Sequence, residues 1–438
     1  MKNQLLAAIA LAAIALGLAA PELAQAAAND EMAEFRSQLQ SLVQRMDRLE
    51  SENATLKAEN GELKALTEQL VAKQSAEPSK QTPPPAQAAA AAKPVDWPSR
   101  ITIKGDIRYR HQQTDDESAS ADRDEHLVRA RLAIEGKVND AMVAGLGIST
   151  SSAPGNPRGA NQQLDGEFSR KSTYIDLAYI DWTFAPNAHL IGGKMKMPFF
   201  RPGQSLYWDN DINPEGIAVT YSTGTLFGSA WGYWIEENVQ TGTAATTATS
   251  TDTKMFGLQV GNRFDFGGTG NLVIAGSYYD LAAAQGRRPF FNGSSNGNSL
   301  TATGGLAYDF QVIDLMAEFN TKLGELPLQV WADIAQNRDA DLDNAYSLGA
   351  VLGKAANPGN WETGFGYQLI EKDALFAQHI DSDFAGGLSD ADGWVLRAGY
   401  APLKNWVLNA TYFINSNNRD VGTEYDFKRL MLDFNAKF

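Results

Sequence analysis

From Ser99 to Phe438 the side chains alternate with a period of two, and this constrains the fold more than any other feature. In a strand successive side chains point to opposite faces, so such a pattern gives each strand one apolar and one polar side. In ITIKGDIRYR, Ile101, Ile103, Ile107 and Tyr109 share one face, and Thr102, Lys104, Asp106, Arg108 and Arg110 share the other. Leu328, Val330, Ala332 and Ile334 likewise alternate with Gln329, Trp331, Asp333 and Ala335. Trp361, Phe365, Tyr367 and Leu369 oppose Glu362 and Gln368, and Trp394, Leu396, Ala398 and Tyr400 oppose Arg397. Trp406, Leu408, Ala410, Tyr412 and Ile414 oppose Asn409, Thr411 and Asn415.

A soluble sandwich also alternates, so the connections must decide. Short turns are expected near Asn139-Asp140, Pro186-Asn187, Gly224, Gly267-Gly268, Gly324-Glu325, Pro358-Gly359 and Leu403-Lys404. Between them fall longer polar stretches, such as Gln112 to Glu125, Ser152 to Ser172, Asn238 to Thr253 and Lys372 to Asp392. Short turns at one end and long loops at the other, with aromatics near the strand ends, are the signature of a transmembrane β-barrel. Reading Leu306 to Leu323 as one long strand gives about sixteen antiparallel strands, an even number as bacterial barrels require. The final run, Leu430, Leu432, Phe434, Ala436 and Phe438, resembles the signal read by the bacterial barrel-assembly machinery. The expected fold is an all-β transmembrane barrel over 99–438, preceded by an α-helical coiled coil.

The preceding residues divide into three. Residues 1–26 read as a signal peptide: Lys2, an apolar run from Leu5 to Ala20, then Ala24-Gln25-Ala26 as the small-x-small cleavage site. Residues 27–73 hold the coiled coil. Phe35, Leu42, Leu49, Leu56, Leu63 and Leu70 recur every seven residues, with Leu39, Met46, Asn53, Asn60 and Thr67 at the partner positions. The polar series favours dimers, whereas Arg45-Met46-Asp47-Arg48-Leu49-Glu50 resembles a trimerisation motif, so both states stay open. Residues 74–98, with Pro83-Pro84-Pro85 and an Ala run, form an extended linker.

Exported chains often rely on disulfides, but this one has no cysteine, and its stability must come from packing or a closed hydrogen-bond network. A formal charge of −15 argues against nucleic acid as a partner. None of the four histidines, His111, His126, His189 and His379, sits in a metal-ligand or nucleophile motif. No catalytic residue, cofactor or metal is therefore assigned. Asp115, Asp116 and Glu117 read as a solvated charge run.

Charged residues on the polar face belong in the lumen, because a charge facing lipid at mid-bilayer costs about 2–4 kcal/mol. This gives a basic candidate lining: Lys104, Arg108 and Arg110 on the first strand, Arg129 and Arg131 on the second, and Lys194 and Lys196 on the fifth. Ion pairing with inward acids such as Asp106 or Glu135 is an equal alternative role. The stretch after the fifth strand, PFFRPGQSLYWDNDINPE from Pro198 to Glu215, supplies constriction-loop candidates in Arg201, Asp209, Asp211 and Glu215.

The segments Gly193-Lys194-Met195-Lys196-Met197-Pro198-Phe199 and Trp208-Asp209-Asn210-Asp211-Ile212-Asn213-Pro214-Glu215-Gly216 resemble the bacterial "putative porin" family. That resemblance implies a Gram-negative outer-membrane channel passing small hydrophilic solutes or ions, with lipid as surroundings, a homotrimer as the assembly and the coiled coil in the periplasm. Sixteen strands leave an aqueous lumen. The competing reading is an envelope tether, with the barrel as anchor and the coiled coil reaching the cell wall.

Overall fold

The computed structural model describes residues 97–152, 155–237 and 252–438. The signal-peptide and coiled-coil segments lie outside the described residues, as do all but the last two linker residues and most of the stretch from Asn238 to Thr253.

Sixteen strands form the wall: β1 (Ile101–Asp116), β2 (Arg123–Asn139), β3 (Met142–Thr150), β4 (Thr173–Ala185), β5 (Ala188–Lys194), β6 (Glu215–Ser222), β7 (Leu226–Glu236) and β8 (Thr253–Asp265). They continue with β9 (Asn271–Ala282), β10 (Phe310–Leu323), β11 (Leu326–Asn337), β12 (Asn344–Gly353), β13 (Trp361–Ile370), β14 (Ala391–Leu403), β15 (Trp406–Asn417) and β16 (Tyr425–Lys437). Each pairs antiparallel with its sequence neighbours, and a two-residue bridge at Gln162–Gln163 adds to β2 from the loop after β3. The last strand closes on the first, from Asp106 opposite Lys437 to Asp116 opposite Phe427. Closure pairs the backbone groups that an open sheet would leave to the bilayer.

The seam has a specific latch. The Gly105 N–H donates to the Phe438 carbonyl at 2.9 Å, and the Phe438 N–H returns to Gly105 at 3.0 Å. The Phe438 ring lies over Gly105 so closely that a Cβ there would sit 2.3 Å from Cζ. Only glycine admits the ring.

The alternation sorts as expected. Ile103, Ile107, Leu146, Ile180, Leu258, Leu315, Val330, Leu348 and Leu396 stand exposed on the outer face, while Arg110, Gln259, Trp331 and Asp333 are buried inside. Outward aromatics cluster at two levels. Trp182, Phe184, Tyr221, Phe264, Trp361, Tyr400 and Phe434 lie toward the short turns; Tyr174, Trp234, Phe256, Tyr278, Tyr346 and Trp394 lie toward the long loops. Such girdles belong at the two interfaces of a bilayer.

Two boundaries differ from expectation. β1 and β2 run through most of the predicted loop from Gln112 to Glu125, leaving only residues 117–122 between them. Cross-strand bonding holds the polar stretch in register, so local polarity misjudged it. The strand predicted from Leu306 begins at Phe310; Leu306 is instead fully buried in the preceding loop, bridged to Leu300.

The loops after β5 (195–214) and after β13 (371–390) turn into the lumen. On one side they meet an inward apolar cluster that includes Trp231, Tyr233, Met255, Tyr279, Phe310 and Val312. Leu206, Tyr207 and Trp208 from the first loop, and Leu375, Phe376, Ile380 and Phe384 from the second, complete this core. Part of the barrel is therefore packed solid, and the open passage is confined to the rest.

Candidate functional site

The loop from Met195 to Pro214 is pinned along its length by polar atoms of the inner wall. Gln259 on β8 accepts from the Phe200 N–H and donates to the Phe200 carbonyl, at 2.7 and 2.9 Å. Glu318 on β10 accepts from the Gly203 N–H at 2.6 Å, and Gln368 on β13 accepts from the Leu206 N–H at 3.1 Å. The Tyr207 hydroxyl donates to the Asp333 carbonyl at 3.0 Å. Trp331 packs against Gly203, whose left-handed φ of 48° and missing Cβ let the chain turn over the indole. The loop then returns toward β2.

The second loop locks onto the first. The Asp209 N–H donates to the His379 carbonyl at 2.8 Å, and the Asp209 carboxylate accepts from the Ser382 N–H at 2.9 Å. His379 lies between Trp208 and Phe376, with ring centroids 5.1 and 4.8 Å away. Burial depresses its pKa to about 3, so it acts as a neutral aromatic there. Arg158, from the loop after β3, donates to the carbonyls of Ala377, Ile380 and Gly387.

Opposite these loops stands a basic wall. Arg108 and Arg129 are register partners on β1 and β2. Arg129 and Arg131 both bind Asp106, each at 2.8 Å, and Asp211 on the loop lies 3.3 Å from Arg131 and 4.0 Å from Arg129. Arg110 is buried between Asp433 on β16, at 2.7 Å, and Asp383 on the second loop, at 2.9 Å. Asp383 also binds Arg429 at 3.1 Å. The loops are thus tied to the wall by charge as well as by apolar packing.

Two of the loop acids differ because their surroundings do. Burial, with the negative charge of Asp383 nearby, pushes Asp381 up to about 6. Burial alone would raise Asp383 too, but Arg110 and Arg429 outweigh it and hold Asp383 down to about 2. Burial and the adjoining Asp381 and Asp211 push Asp209 well above the usual carboxylate range.

Among the described residues two cavities lie open between the loops and the basic wall. The larger, of about 860 Å³, faces the long loops and is lined by nine basic and five acidic side chains. The smaller, of about 590 Å³, lies toward the short turns and includes Arg201, Glu362 and Asp433. Both are lined by Asn210, Arg397 and Thr411, which mark where they meet. Among the described residues no hydrogen bond or ion pair engages the Arg397 guanidinium; Asp381, Asp383 and Glu362 act on it through space.

The structure gathers some predicted site residues and separates others. Arg108, Arg110, Arg129, Arg131, Asp209 and Asp211 come together between wall and loops. Arg201 lines the smaller cavity and donates to the Trp208 carbonyl at 3.2 Å. Lys104 stands apart near the short turns, exposed and 3.3 Å from Glu135. Lys194 ends β5 and pairs with Glu215 at 2.9 Å. Glu215 opens β6 rather than belonging to the inward loop, and Lys196 lies on that loop rather than on the fifth strand. Arg158, Arg397, Arg429, Asp381, Asp383 and Asp433 were not singled out from sequence. The alternation alone places Arg397, Arg429 and Asp433 on inward positions, whereas nothing local to Asp381 or Asp383 announces that their loop folds inward.

A closed sixteen-stranded barrel with aromatic girdles and a water-accessible, charged lumen narrowed by its own loops defines an outer-membrane porin-type channel. The chain belongs to the family described as "putative porin", whose profile matches residues 116–312 and 306–438. Among solved structures, the high-pH form of Pseudomonas putida OprB superposes with a TM-score of 0.51 at 12% identity, covering 78% of this chain and 95% of that one. It shares the fold. A loop-L8 deletion mutant of OmpT, an outer-membrane protein of Vibrio cholerae, gives 0.46 at 13% identity over 77% of this chain and 100% of its own. A mutant of Rh. blastica porin gives 0.47 at 13% identity over 77% and 100%. None of the curated proteins matches.

Proposed function

We propose that this porin passes small hydrophilic solutes with a preference for anions, selected where Arg397 joins the two cavities. The observation that carries the reading is the charge of the passage. The chain as a whole carries −15, yet nine basic side chains face five acidic ones around the outer cavity. Most of those carboxylates are engaged by arginines or backbone N–H groups, and the Arg397 guanidinium is left facing the opening. In a pore, rings of such charge govern which ions enter.

The remaining features extend the proposal. A homotrimer is supported by the sequence motif at Arg45 to Glu50, and a periplasmic position for the heptads by a barrel whose first strand starts at the short-turn end. The latch of Phe438 on Gly105 supports recognition of the final strand during assembly.

The test is solute flux into proteoliposomes with a carboxylate, a neutral polyol and an amine of matched size. The proposal requires the carboxylate to enter fastest. Equal rates, or faster entry of the amine, would remove the anion preference and leave a general porin.

A further inference from the structure

On the outer face of the barrel, away from the lumen, the β1–β2 hairpin brings together His111, Asp124 and His126. His111 and His126 are direct cross-strand partners, with ring centroids 5.1 Å apart. Asp124, two residues before His126, projects from the same face. His111 Nδ1 lies 3.4 Å from Asp124 Oδ1, and His126 Nε2 lies 3.9 Å from the same oxygen. One ligand atom from each of the three falls within 4.8 Å of the others.

Two further observations point to a ligand. His111 Nδ1 is buried and makes no hydrogen bond among the described residues, its approach to Asp124 Oδ1 at 3.4 Å being a loose contact, an arrangement that an ion held between the two atoms would satisfy. His126 Nδ1, by contrast, is engaged by the Tyr109 hydroxyl at 2.7 Å. That contact fixes the ring and turns Nε2 toward Asp124, as the outer partner of a metal-binding histidine does.

We infer that His111 Nδ1, His126 Nε2 and an Asp124 carboxylate oxygen form a binding site for a divalent transition metal, zinc or copper by class. Two imidazoles and one carboxylate suit these ions, whereas calcium and magnesium take oxygen donors. Bonds of 2.0–2.1 Å in a tetrahedron place ligand atoms about 3.3 Å apart. The His111–Asp124 spacing already meets this, and a small rotation of His126 and the exposed Asp124 supplies the rest. Three protein ligands leave a coordination position for water. The site lies beyond Tyr109 toward the long loops, where Asp124 also lines a cavity of about 730 Å³ through which an ion can reach it. Bound there, it would cross-link the outer ends of β1 and β2. The inference is independent of what the lumen conducts.

The test uses the full protein, without a histidine tag, folded in detergent. Zn²⁺ titrated calorimetrically should bind with a stoichiometry of one, and Cu²⁺ should show two nitrogen ligands by electron paramagnetic resonance. His111→Ala and His126→Ala should each weaken binding more than tenfold and reduce the copper signal to one nitrogen. Tyr109→Phe, which removes only the orienting contact, should lower affinity by about tenfold. His189→Asn should leave binding unchanged, since His189 is paired with Asp181 at 2.8 Å on other strands. Folding of each variant is verified by the shift in gel mobility on heating; should a histidine variant misfold, Asp124→Asn carries the same prediction. Absence of Zn²⁺ binding by the folded wild type, or undiminished binding by a folded His111→Ala, His126→Ala double variant, would overturn the assignment.

Discussion

Asp383 is the charge that ties the loop at 371–390 to the basic wall, and replacing it with Asn should loosen that loop. Asp383 accepts from Arg110 at 2.9 Å and from Arg429 at 3.1 Å. The substitution keeps the shape but leaves both guanidinium groups short of a counter-charge. Breaking a buried pair by removing one partner costs about 3–5 kcal/mol. Two features lower that figure here: Arg110 keeps Asp433, and 26% of the Asp383 side chain is accessible to water. A cost of about 2 kcal/mol remains, which raises the local opening equilibrium by roughly 30-fold. Hydrogen–deuterium exchange should therefore speed up by about that factor in peptides covering 371–390, while strand peptides on the far side of the barrel stay protected. Single-channel records should show added fluctuation. Unchanged exchange in the loop would refute the electrostatic latch and assign docking to Phe376, Ile380 and Phe384 alone. Because the folded pKa of Asp383 is depressed to about 2, its contribution is complete above the ordinary carboxylate value near 4 and is lost as pH falls through 2.

Other consequences follow from the same geometry. Arg397→Glu reverses one charge where the cavities meet; at about 1 kcal/mol per charge pair at 4 Å in water, the two-charge swing disfavours an anion and favours a cation by about 30-fold each, and so should shift the anion-to-cation permeability ratio toward cations by up to roughly 1,000-fold, measured as a bi-ionic potential. Wild-type anion preference should rise as pH drops from 7 to 5, because Asp381, pushed up to about 6, then loses its negative charge; a reversal potential flat over that range would contradict this. Gly203→Ala would place a Cβ 2.4 Å from the Trp331 ring in a left-handed backbone. It should displace the loop at 195–214, seen as a change in tryptophan emission and conductance.

The wall was legible in the sequence because its physics is local and repetitive. A strand that faces lipid on one side and water or packing on the other must alternate, and Ile103, Ile107 and Tyr109 against Asp106, Arg108 and Arg110 show it within one decapeptide. The short turns were equally plain, since Asn187, Gly267 and Gly324 take positive φ there. The contents of the lumen were only partly legible. The loop with Trp208, Asp209 and Asp211 stood out by composition, but the loop with Asp381 and Asp383 did not. Its inward fold depends on partners far away in the chain, Arg110 at 273 residues and Asn298 at 79. The His111–His126 pair was invisible for a similar reason: its spacing matches no linear motif, because the hairpin register brings the rings together.

The central claim is that arginines, rather than the acidic chain as a whole, set the field in the passage. The most direct measurement is the reversal potential of the wild-type channel in a planar bilayer under a potassium chloride gradient at neutral pH. The account predicts discrete conductance steps and a sign showing chloride to be the more permeant ion. A potential of the sign for potassium preference would show that the loop carboxylates govern the passage and would contradict the account.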